Sequence, residues 1–459
     1  MLKKYQPLYH NVVFYYTLIY AIYSLMGRFT WVHGLVEHTI NAPIYAFTAV
    51  FGFLLVAIDF FFYKNYKQLK YYPIYIVFIV CAVISSALNV KYGFADNVKT
   101  IVWLTVQMGL FTTMGQLITK ERYHQWLTLF FSISGGIWGF ASLVSLYQFI
   151  YVPGYVIPMN DRLIRQSLYD NRLFGVFIDP NLGAFVAFLV MWGMIYLMRH
   201  YKNNKLVKVL GITNIIVQLL YIILSGSRST QVCMIVSLSY AALYGLFCYF
   251  KKTNKVTRPL QFLSYIVAPI ACALIILVSF NLFKTGAATL ANAIEPQVHQ
   301  GVKELERTDI EEDSSNNRVD IWKGYLTLLK DKPIFGLSPR NAWNYADTEH
   351  PDSYLAEHHY DVHNAYIAVL AGMGIVGFIV LLLIMYCLLR TIVPRLFDSS
   401  KMNLQYFIAL QLVINIAVFI LFYPGIYFTN GIDTILFWIA VGFTVKEAKK
   451  FNFSSIRKK

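Results

Sequence analysis

Three arginines and one histidine in this chain of 459 residues are of the types that could act on an anionic substrate. Arg172, Arg228, Arg318 and His363 each stand in a short polar stretch close to a long apolar run. A guanidinium group offers paired donors that match phosphate oxygens, and the pKa of histidine suits a general base. Together they predict chemistry in which a phosphate-containing group is bound and a hydroxyl is activated.

Arg228 lies in a turn of about five residues, Ser225 to Ser229, between two apolar runs. The small neighbours leave room for a ligand, and the first amides of the following helix favour an anion. The structural alternative is an interfacial arginine whose side chain reaches the lipid head groups. The sequence leaves both alternatives open.

Arg318 and Trp322 are four residues apart, so they share one face of a helix. Arg318 is either a second phosphate-binding arginine or a cation among lipid head groups. Arg172 is followed by Asp179-Pro180-Asn181, in which Pro180 and Asn181 are typical of a helix start. Arg172 itself has no evident partner nearby in the sequence.

His363 comes directly before Asn364, a good N-cap residue for the next apolar helix. Its imidazole is therefore placed at the rim of a helix bundle, where the role is either structural or that of a base. His358 and His359 could complete a metal site with it, but no glutamate or cysteine stands at ligand spacing. We predict no metal and no other cofactor.

The composition decides the class of protein. It is 57% hydrophobic and only 14% charged, which leaves too few charged side chains to cover a soluble domain. The net charge of +15 comes from short clusters of lysine and arginine between apolar runs, which mark cytoplasmic loops rather than a surface for nucleic acid. The five cysteines all fall in apolar segments, so neither a disulfide framework nor a zinc site is indicated.

Windows of about twenty apolar residues predict an all-α polytopic membrane protein with about twelve transmembrane helices. The first run is too long for a removable signal and is predicted to stay as a spanning helix. The twelve windows lie near 11–27, 42–63, 72–90, 98–118, 125–152, 181–198, 206–224, 229–250, 260–284, 364–389, 404–424 and 431–446.

The basic residues predict the orientation. With both termini in the cytoplasm, the inner segments hold 24 lysines and arginines and the short outer connections hold seven. The four candidate residues then all face the outside. The predicted organisation is nine helices in 1–284, a large extracytoplasmic loop in 285–363, and three helices with a basic cytoplasmic tail in 364–459.

The large loop has two unlike parts. Glu304 to Asn317 is acidic and rich in serine and asparagine, which is typical of a mobile segment. Arg318 to Lys330 places apolar residues at helical spacing and predicts a short amphipathic helix at the outer membrane surface. The apolar positions are Val319, Trp322, Leu326 and Leu329.

Outward cations and a possible base on a membrane bundle suit a substrate that is anionic, membrane-anchored and presented outside. A lipid-linked pyrophosphate has these properties, because arginines stabilise the departing diphosphate while the base takes a proton from an attacking hydroxyl. A divalent metal is not required when arginines neutralise the leaving group.

Several motifs resemble the signature region of the O-antigen ligase and polysaccharide polymerase superfamily. They cover about 170 to 380, and their order and spacing carry the resemblance more than any single one. The large outer loop before the tenth span also matches the family plan. The motifs are Asn171–Asn181, Ser225–Ser229, Asn317-Arg318 with Trp322, Lys332-Pro333-Ile334-Phe335-Gly336-Leu337, His363-Asn364-Ala365-Tyr366 and Ala371–Gly377.

The resemblance implies an inverting, metal-independent glycosyltransferase that acts on glycans linked to undecaprenyl diphosphate. It implies that His363 is the base, that Arg228 and Arg318 bind the diphosphate, and that an arginine belongs at position 172. Asn181, Trp322 and Asn364 are expected to support the site. One departure is that Gly336 is followed by Leu337-Ser338-Pro339, where family members often have Gly-x-Gly.

Family motifs do not separate polymerases, which join repeat units, from ligases, which transfer a finished glycan. The lysine-, tyrosine- and asparagine-rich composition is typical of a low-GC Gram-positive source, in which no lipopolysaccharide core exists to receive a ligated glycan. It therefore favours a polymerase of capsular or exopolysaccharide in the plasma membrane. A flippase and a chain-length regulator of the same pathway are the expected protein partners, beside the lipid bilayer. A transporter or flippase and a non-catalytic envelope scaffold remain as alternatives, although a transporter normally carries broken or charged helices near the midplane.

Overall fold

The computed structural model describes residues 2–37, 41–159, 162–253, 256–295, 317–398 and 402–449. Within them the chain forms a bundle of α-helices with one small antiparallel sheet. The elements are α1 Gln6–Met26, α2 Thr30–Glu37, α3 Asn41–Ile58, α4 Tyr72–Leu88, α5 Ala95–Val106, α6 Thr112–Leu117, α7 Lys120–Tyr151, β1 Tyr155–Met159, β2 Arg162–Tyr169, β3 Arg172–Gly175, α8 Pro180–His200, α9 Lys205–Ser225, α10 Arg228–Thr253, α11 Arg258–Ile294, α12 Arg318–Leu329, α13 Ala342–Glu349, α14 Tyr354–His358, α15 Ala365–Ile392, α16 Leu404–Phe419 and α17 Ile432–Lys449.

Seven helical segments of the described chain are long and apolar enough to cross a membrane, which confirms the helical membrane class. They are Ala42–Tyr63, Lys120–Tyr151, Pro180–His200, Lys205–Ser225, Arg228–Thr253, Arg258–Ile294 and Ala365–Arg395. Two further apolar helices, α4 and α16, are shorter. A helix lies at each of the twelve predicted windows, but the number that span stays a prediction.

Polar side chains define where several helices begin. Asp179, for example, accepts a hydrogen bond from the amide of Asn181 at 2.8 Å and so starts α8. Such caps satisfy amides that have no partner within the helix. The residues that cap helices in this way include Thr119, Asp179, Asn204, Asn364 and Asn403.

The helices differ in their depth within the bundle. In α8, 78% of the most apolar window is buried against other helices, and α17 is buried along most of its length. In α11 only 11% is buried, so this helix lies at the periphery against α9 and α10. It continues to Ile294, ten residues beyond the window predicted from the sequence.

A three-stranded sheet occupies most of the stretch that the sequence left as a long connection between the fifth and sixth windows. β2 pairs antiparallel with both β1 and β3, with an irregularity between Ser167 and Leu168. Windows of twenty residues cannot detect strands of four to eight residues, which is why the sheet was not predicted. Its last strand leads directly into the start of α8.

Helices α12 to α14 form a small second core with the connection after α4. The helix predicted after Arg318 is present, but its buried residues are Ile321, Tyr325, Leu328 and Leu329. Val319 and Leu326 are exposed, so their predicted contact with the membrane stays a prediction. The acidic segment Glu304–Asn317 lies outside the described residues except for Asn317.

The segment after α12 is interlocked with a break inside α15. Gly374 has φ 65° and ψ −167°, a conformation that glycine adopts without a side-chain clash. The break frees amides of α15, and those of Ile375 and Val376 donate to the carbonyls of Pro333 at 2.9 Å and Ile334 at 3.2 Å. In the sequence these residues belong to two separate motifs, and here they form one contact.

Candidate active site

Arg172 is buried at the start of β3, with 5% of its surface exposed. Its Nε donates to the main-chain carbonyl of Ser225 at 3.0 Å, and its Nη2 donates to Oδ1 of Asn181 at 2.9 Å. The sequence offered no local partner for Arg172, whereas the fold provides one from 53 residues away. Arg172 therefore fixes the end of α9 against the start of α8.

The turn that Arg172 holds leads into α10. Ser227 is fully buried, and its hydroxyl accepts from the amide of Thr230 at 3.4 Å, which is typical of an N-cap. Arg228 is the first residue of α10 and is exposed. As predicted, this arginine stands at a helix start, where the amides and the helix dipole favour an anion.

Lys284 is a further cation of this region, which was not among the site residues predicted from the sequence. A Cβ built on Gly226 would lie 3.6 Å from Lys284 Nζ and 3.7 Å from Arg172 Cγ, so both side chains converge on the same turn. A signal was present, because Lys284 is the only charged residue between 259 and 294. A charge within an apolar helix is by default a functional hypothesis.

His363 lies in a backbone that is fixed on both sides. Before it, the indole Nε1 of Trp322 donates to the Val362 carbonyl at 2.9 Å. After it, Oδ1 of Asn364 accepts from the amides of Tyr366 at 2.9 Å and Ile367 at 3.0 Å, which confirms the predicted N-cap. His363 itself has φ 47°, in the left-handed region that is sparsely populated outside glycine and tends to occur at functional sites.

The charges around His363 set its protonation. Burial lowers the pKa of His363 below its ordinary value of 6.5; Asp361 opposes this, Arg318 adds to it, and Asp179 opposes it more weakly. The imidazole is therefore neutral at pH 7 and ready to accept a proton. No hydrogen bond to the imidazole is found among the described residues, so its nitrogens are available to a ligand.

Arg318 is the first residue of α12, and its guanidinium lies 5.7 Å from the centre of the Phe422 ring. Phe422 belongs to the connection between α16 and α17. Arg318 also acts electrostatically on His363, so the predicted cation and the predicted base lie in one region.

Asp179 connects the two groups of residues. It caps α8 next to Asn181, which holds Arg172, and its charge also acts on His363. In the sequence this residue is recognisable only as part of a helix start. Arg172, Asn181, Arg318 and His363 are thus gathered at one end of the bundle, which we call the loop end because α12 to α14 pack there.

Residues 213–382 match the family model described as O-antigen ligase. In this stretch of 170 of its 459 residues the chain is similar to the O-antigen ligase family. No curated protein matches the chain. Members of the family are glycosyltransferase-like enzymes of the membrane.

The region matched to the O-antigen ligase family begins in α9 and ends in α15. It contains Arg228, Arg318 and His363, together with Lys284. Arg172 and Asn181 lie outside it, although Arg172 holds Ser225 within it. The matched region is therefore completed at the loop end by the strand and helix that precede it.

The other loop histidines have different surroundings. His358 stacks on Tyr354 with ring centres 4.4 Å apart, and His359 lies 2.8 Å from a carboxylate oxygen of Asp347. Among the described residues no group of three potential metal ligands is found. Both histidines thus contact neighbouring side chains, unlike His363, for which no hydrogen bond to the imidazole is found among the described residues.

Proposed function

We propose that this chain polymerises oligosaccharide repeat units that are linked to a lipid diphosphate, at the outer face of the cytoplasmic membrane. The observation that carries the proposal is the position of His363, a neutral imidazole with Arg318 beside it and no hydrogen bond to it among the described residues. A base and a phosphate-binding cation in one region are what this transfer requires.

The proposed step is a direct displacement. A sugar hydroxyl attacks the anomeric carbon of the lipid-linked glycan from the face opposite the diphosphate, which inverts the configuration. The new bond joins the hydroxyl oxygen to that carbon, while the bond from the carbon to the diphosphate oxygen breaks. His363 takes the hydroxyl proton, and the diphosphate leaves with the electron pair.

The cations divide into two roles. Arg228 and Arg318 are proposed to contact the diphosphate, since both begin helices at the loop end and guanidinium matches phosphate oxygens. Lys284 adds charge beside the turn. We propose that Arg172 is a positioning residue, because its Nε donates to Ser225 and its Nη2 donates to Asn181. Its contact with the diphosphate stays a prediction.

Trp322, Asn364 and Asn181 support these groups. Trp322 and Asn364 fix the backbone of His363, and Asn181 fixes Arg172. Because guanidinium groups neutralise the leaving group, the proposed reaction proceeds without a divalent cation.

Undecaprenyl diphosphate is the proposed lipid carrier, by resemblance to the family. We favour a polymerase over a ligase on the composition described above. In both cases the loop end faces outward and both termini lie in the cytoplasm, as the basic residues indicate. A flippase that supplies the lipid-linked unit and a chain-length regulator are the proposed partners.

The test uses purified protein in lipid nanodiscs with a lipid-linked repeat unit and a chelator. A ladder of products in the presence of chelator supports metal-free polymerisation. Transfer only to an added, different acceptor indicates a ligase, and movement of the lipid-linked unit across liposomes without bond formation indicates a transporter.

His363→Ala is the decisive variant in this assay. We expect it to lower the rate by about 10²–10⁴-fold, the usual worth of a general base. His358→Ala is the matched control, because it removes a histidine of the same loop that stacks on Tyr354. Polymerisation at the normal rate in His363→Ala would rule out this residue as the base.

A further inference from the structure

A cavity of about 190 Å³ with a mixed aromatic and polar lining lies beside the proposed active site, between the end of α1 and the connection from α16 to α17. None of the residues in its lining is assigned a role in the proposed reaction. The lining combines tyrosine rings with hydrogen-bonding groups: Tyr20, Tyr23, Arg28, His33, Tyr45 and Asn430.

The aromatic side of the cavity is rigid. The ring centre of Trp103 lies 5.0 Å from that of Tyr20 and 5.1 Å from that of Tyr45. A ring held in this way offers a fixed apolar face with a hydroxyl at its edge. Sugar rings have matching properties, since one face carries C–H groups and the rim carries hydroxyls.

The polar side of the cavity contains buried atoms without protein partners. Among the described residues, Nε of Arg28 and Oδ1 of Asn430, which both belong to lining residues, are buried and make no hydrogen bond. Oγ1 of Thr429, which precedes Asn430 in the chain but does not line the cavity, is also buried without a hydrogen bond. Asn430 uses its amide group to donate to the Tyr20 hydroxyl, which leaves Oδ1 as an acceptor. Buried polar groups are normally paired, and several unpaired ones in one place indicate a ligand.

The charge of Arg28 is faced by a carboxylate. A Cβ built on Gly431 would lie 2.6 Å from Arg28 Nη2 and would also overlap Oδ1 of Asp433, so both groups crowd the same glycine. Asp433 is 1% exposed. A guanidinium that already has a carboxyl group nearby suits the hydroxyls of an uncharged sugar better than a second carboxylate.

The cavity adjoins the proposed catalytic residues through the backbone. The carbonyl of Arg28 accepts from the amide of Ile178 at 3.2 Å, and Ile178 is followed by Asp179, which caps α8. Tyr423 lies within electrostatic reach of both Arg28 and Asp179. The cavity is lined by residues of α1 and α3, whereas Arg228 belongs to α10 and Lys284 to α11.

We propose that this cavity binds one uncharged sugar residue of the acceptor glycan. This inference rests on the proposed function, in which the attacking hydroxyl approaches from the side opposite the diphosphate. The volume of the cavity fits a single sugar residue, because pockets for larger ligands measure about 300–1,000 Å³. Binding here directs the acceptor hydroxyl toward His363 while Arg228 and Arg318 hold the donor.

The experiment measures binding of the lipid-free oligosaccharide, released by mild acid from the cells' own repeat unit. Full-length protein in nanodiscs is titrated and followed by saturation-transfer NMR. We expect Tyr45→Ala to raise the Kd by about tenfold, because a ring contact and a hydrogen-bonding group are both lost. Tyr45→Phe, which keeps the ring and its packing on Trp103, should raise the Kd by about two- to fourfold.

Tyr147→Ala is the matched control, because Tyr147 is an exposed tyrosine of α7 and does not line the cavity. It should bind the oligosaccharide as the unaltered protein does. Arg28→Lys preserves the charge facing Asp433 and removes the guanidinium, and should also raise the Kd. In the transfer assay Tyr45→Ala and Arg28→Lys should raise the KM for acceptor with little change in kcat, and Tyr147→Ala should change neither.

Wild-type affinity in Tyr45→Ala and Arg28→Lys would overturn the proposal, as would the absence of oligosaccharide binding to the unaltered protein. If the unaltered protein binds the oligosaccharide through Tyr45 but forms no glycosidic bond, the sugar site stands and the proposed polymerase function fails. The two failures are therefore distinguishable.

Discussion

The two groups of residues at the loop end are held in opposite ways. On the side of Arg172 the side chain itself is fixed, buried with its donors committed to Ser225 and Asn181. On the side of His363 the backbone is fixed by Trp322 and Asn364, and no hydrogen bond to the imidazole is found among the described residues. A fixed side chain positions other groups, whereas a side chain on a fixed backbone can act on a ligand. This difference separates residues that position the site from residues that could take part in the reaction.

The largest difference in stability and activity is expected between variants of Arg172 and Arg228. Arg172→Ala removes two charge-assisted hydrogen bonds from a buried site and should lower the free energy of unfolding by about 3 kcal/mol. Arg228→Ala should leave thermal unfolding unchanged and lower the transfer rate by about 10²-fold, the usual cost of one donor to a leaving anion. Both are measured on purified protein, by thermal unfolding and by the polymerisation assay.

Two matched controls accompany this pair. Arg165→Ala alters an exposed arginine of the same sheet, which pairs with Asp170 at 2.9 Å, and should change neither quantity. Arg258→Ala alters an exposed arginine at the first residue of α11, and should retain full activity. Equal stability of Arg172→Ala and the unaltered protein would remove the distinction between the two sides.

A smaller effect is expected from loosening the backbone of His363. Trp322→Phe keeps an aromatic ring but loses the donor to the Val362 carbonyl, so kcat should fall by about tenfold with the chain still folded. Trp343→Phe removes an indole that donates to the Tyr360 carbonyl at 3.2 Å, further from His363. If kcat falls equally in both variants, the hydrogen bond of Trp322 does not specifically position His363.

The smallest effect concerns pH. The transfer rate should follow the neutral fraction of His363, full above its pKa and lost as pH falls through it, with the midpoint below 6.5. Asp361 raises this pKa, so Asp361→Asn should move the midpoint to lower pH, by less than about one unit. Asp347→Asn, which alters the partner of His359, should not move it. A shift of the midpoint to higher pH in Asp361→Asn would contradict the assignment.

Local sequence rules predicted much of this arrangement. Long apolar runs predicted the helices, and the polar residues beside those runs predicted the helix starts near Asn181 and Asn364. Both predictions succeed because they depend only on residues that are close in the sequence. The prediction that Arg318 and His363 lie at the same end followed from the distribution of basic residues, which placed both on the outer side. Five of the six family motifs lie within the matched region, and the sixth, Asn171–Asn181, precedes it.

The remaining features depend on contacts between distant parts of the chain. The partner of Arg172 is a main-chain carbonyl, which has no sequence signature. Lys284 was hidden because a window of apolar residues is scored as a whole. Arg28 was counted only as a loop charge, since nothing in the sequence places it beside Ile178 or Asp433.

The break at Gly374 has a consequence for how the protein can be recombined. It lies nine residues into α15, about 14 Å along the helix axis, and the segment Pro333–Gly336 is joined to it there by main-chain hydrogen bonds. A chimera that exchanges residues 317–363 alone would separate two halves of that junction. A chimera between related chains should therefore exchange residues 317–377 as one segment.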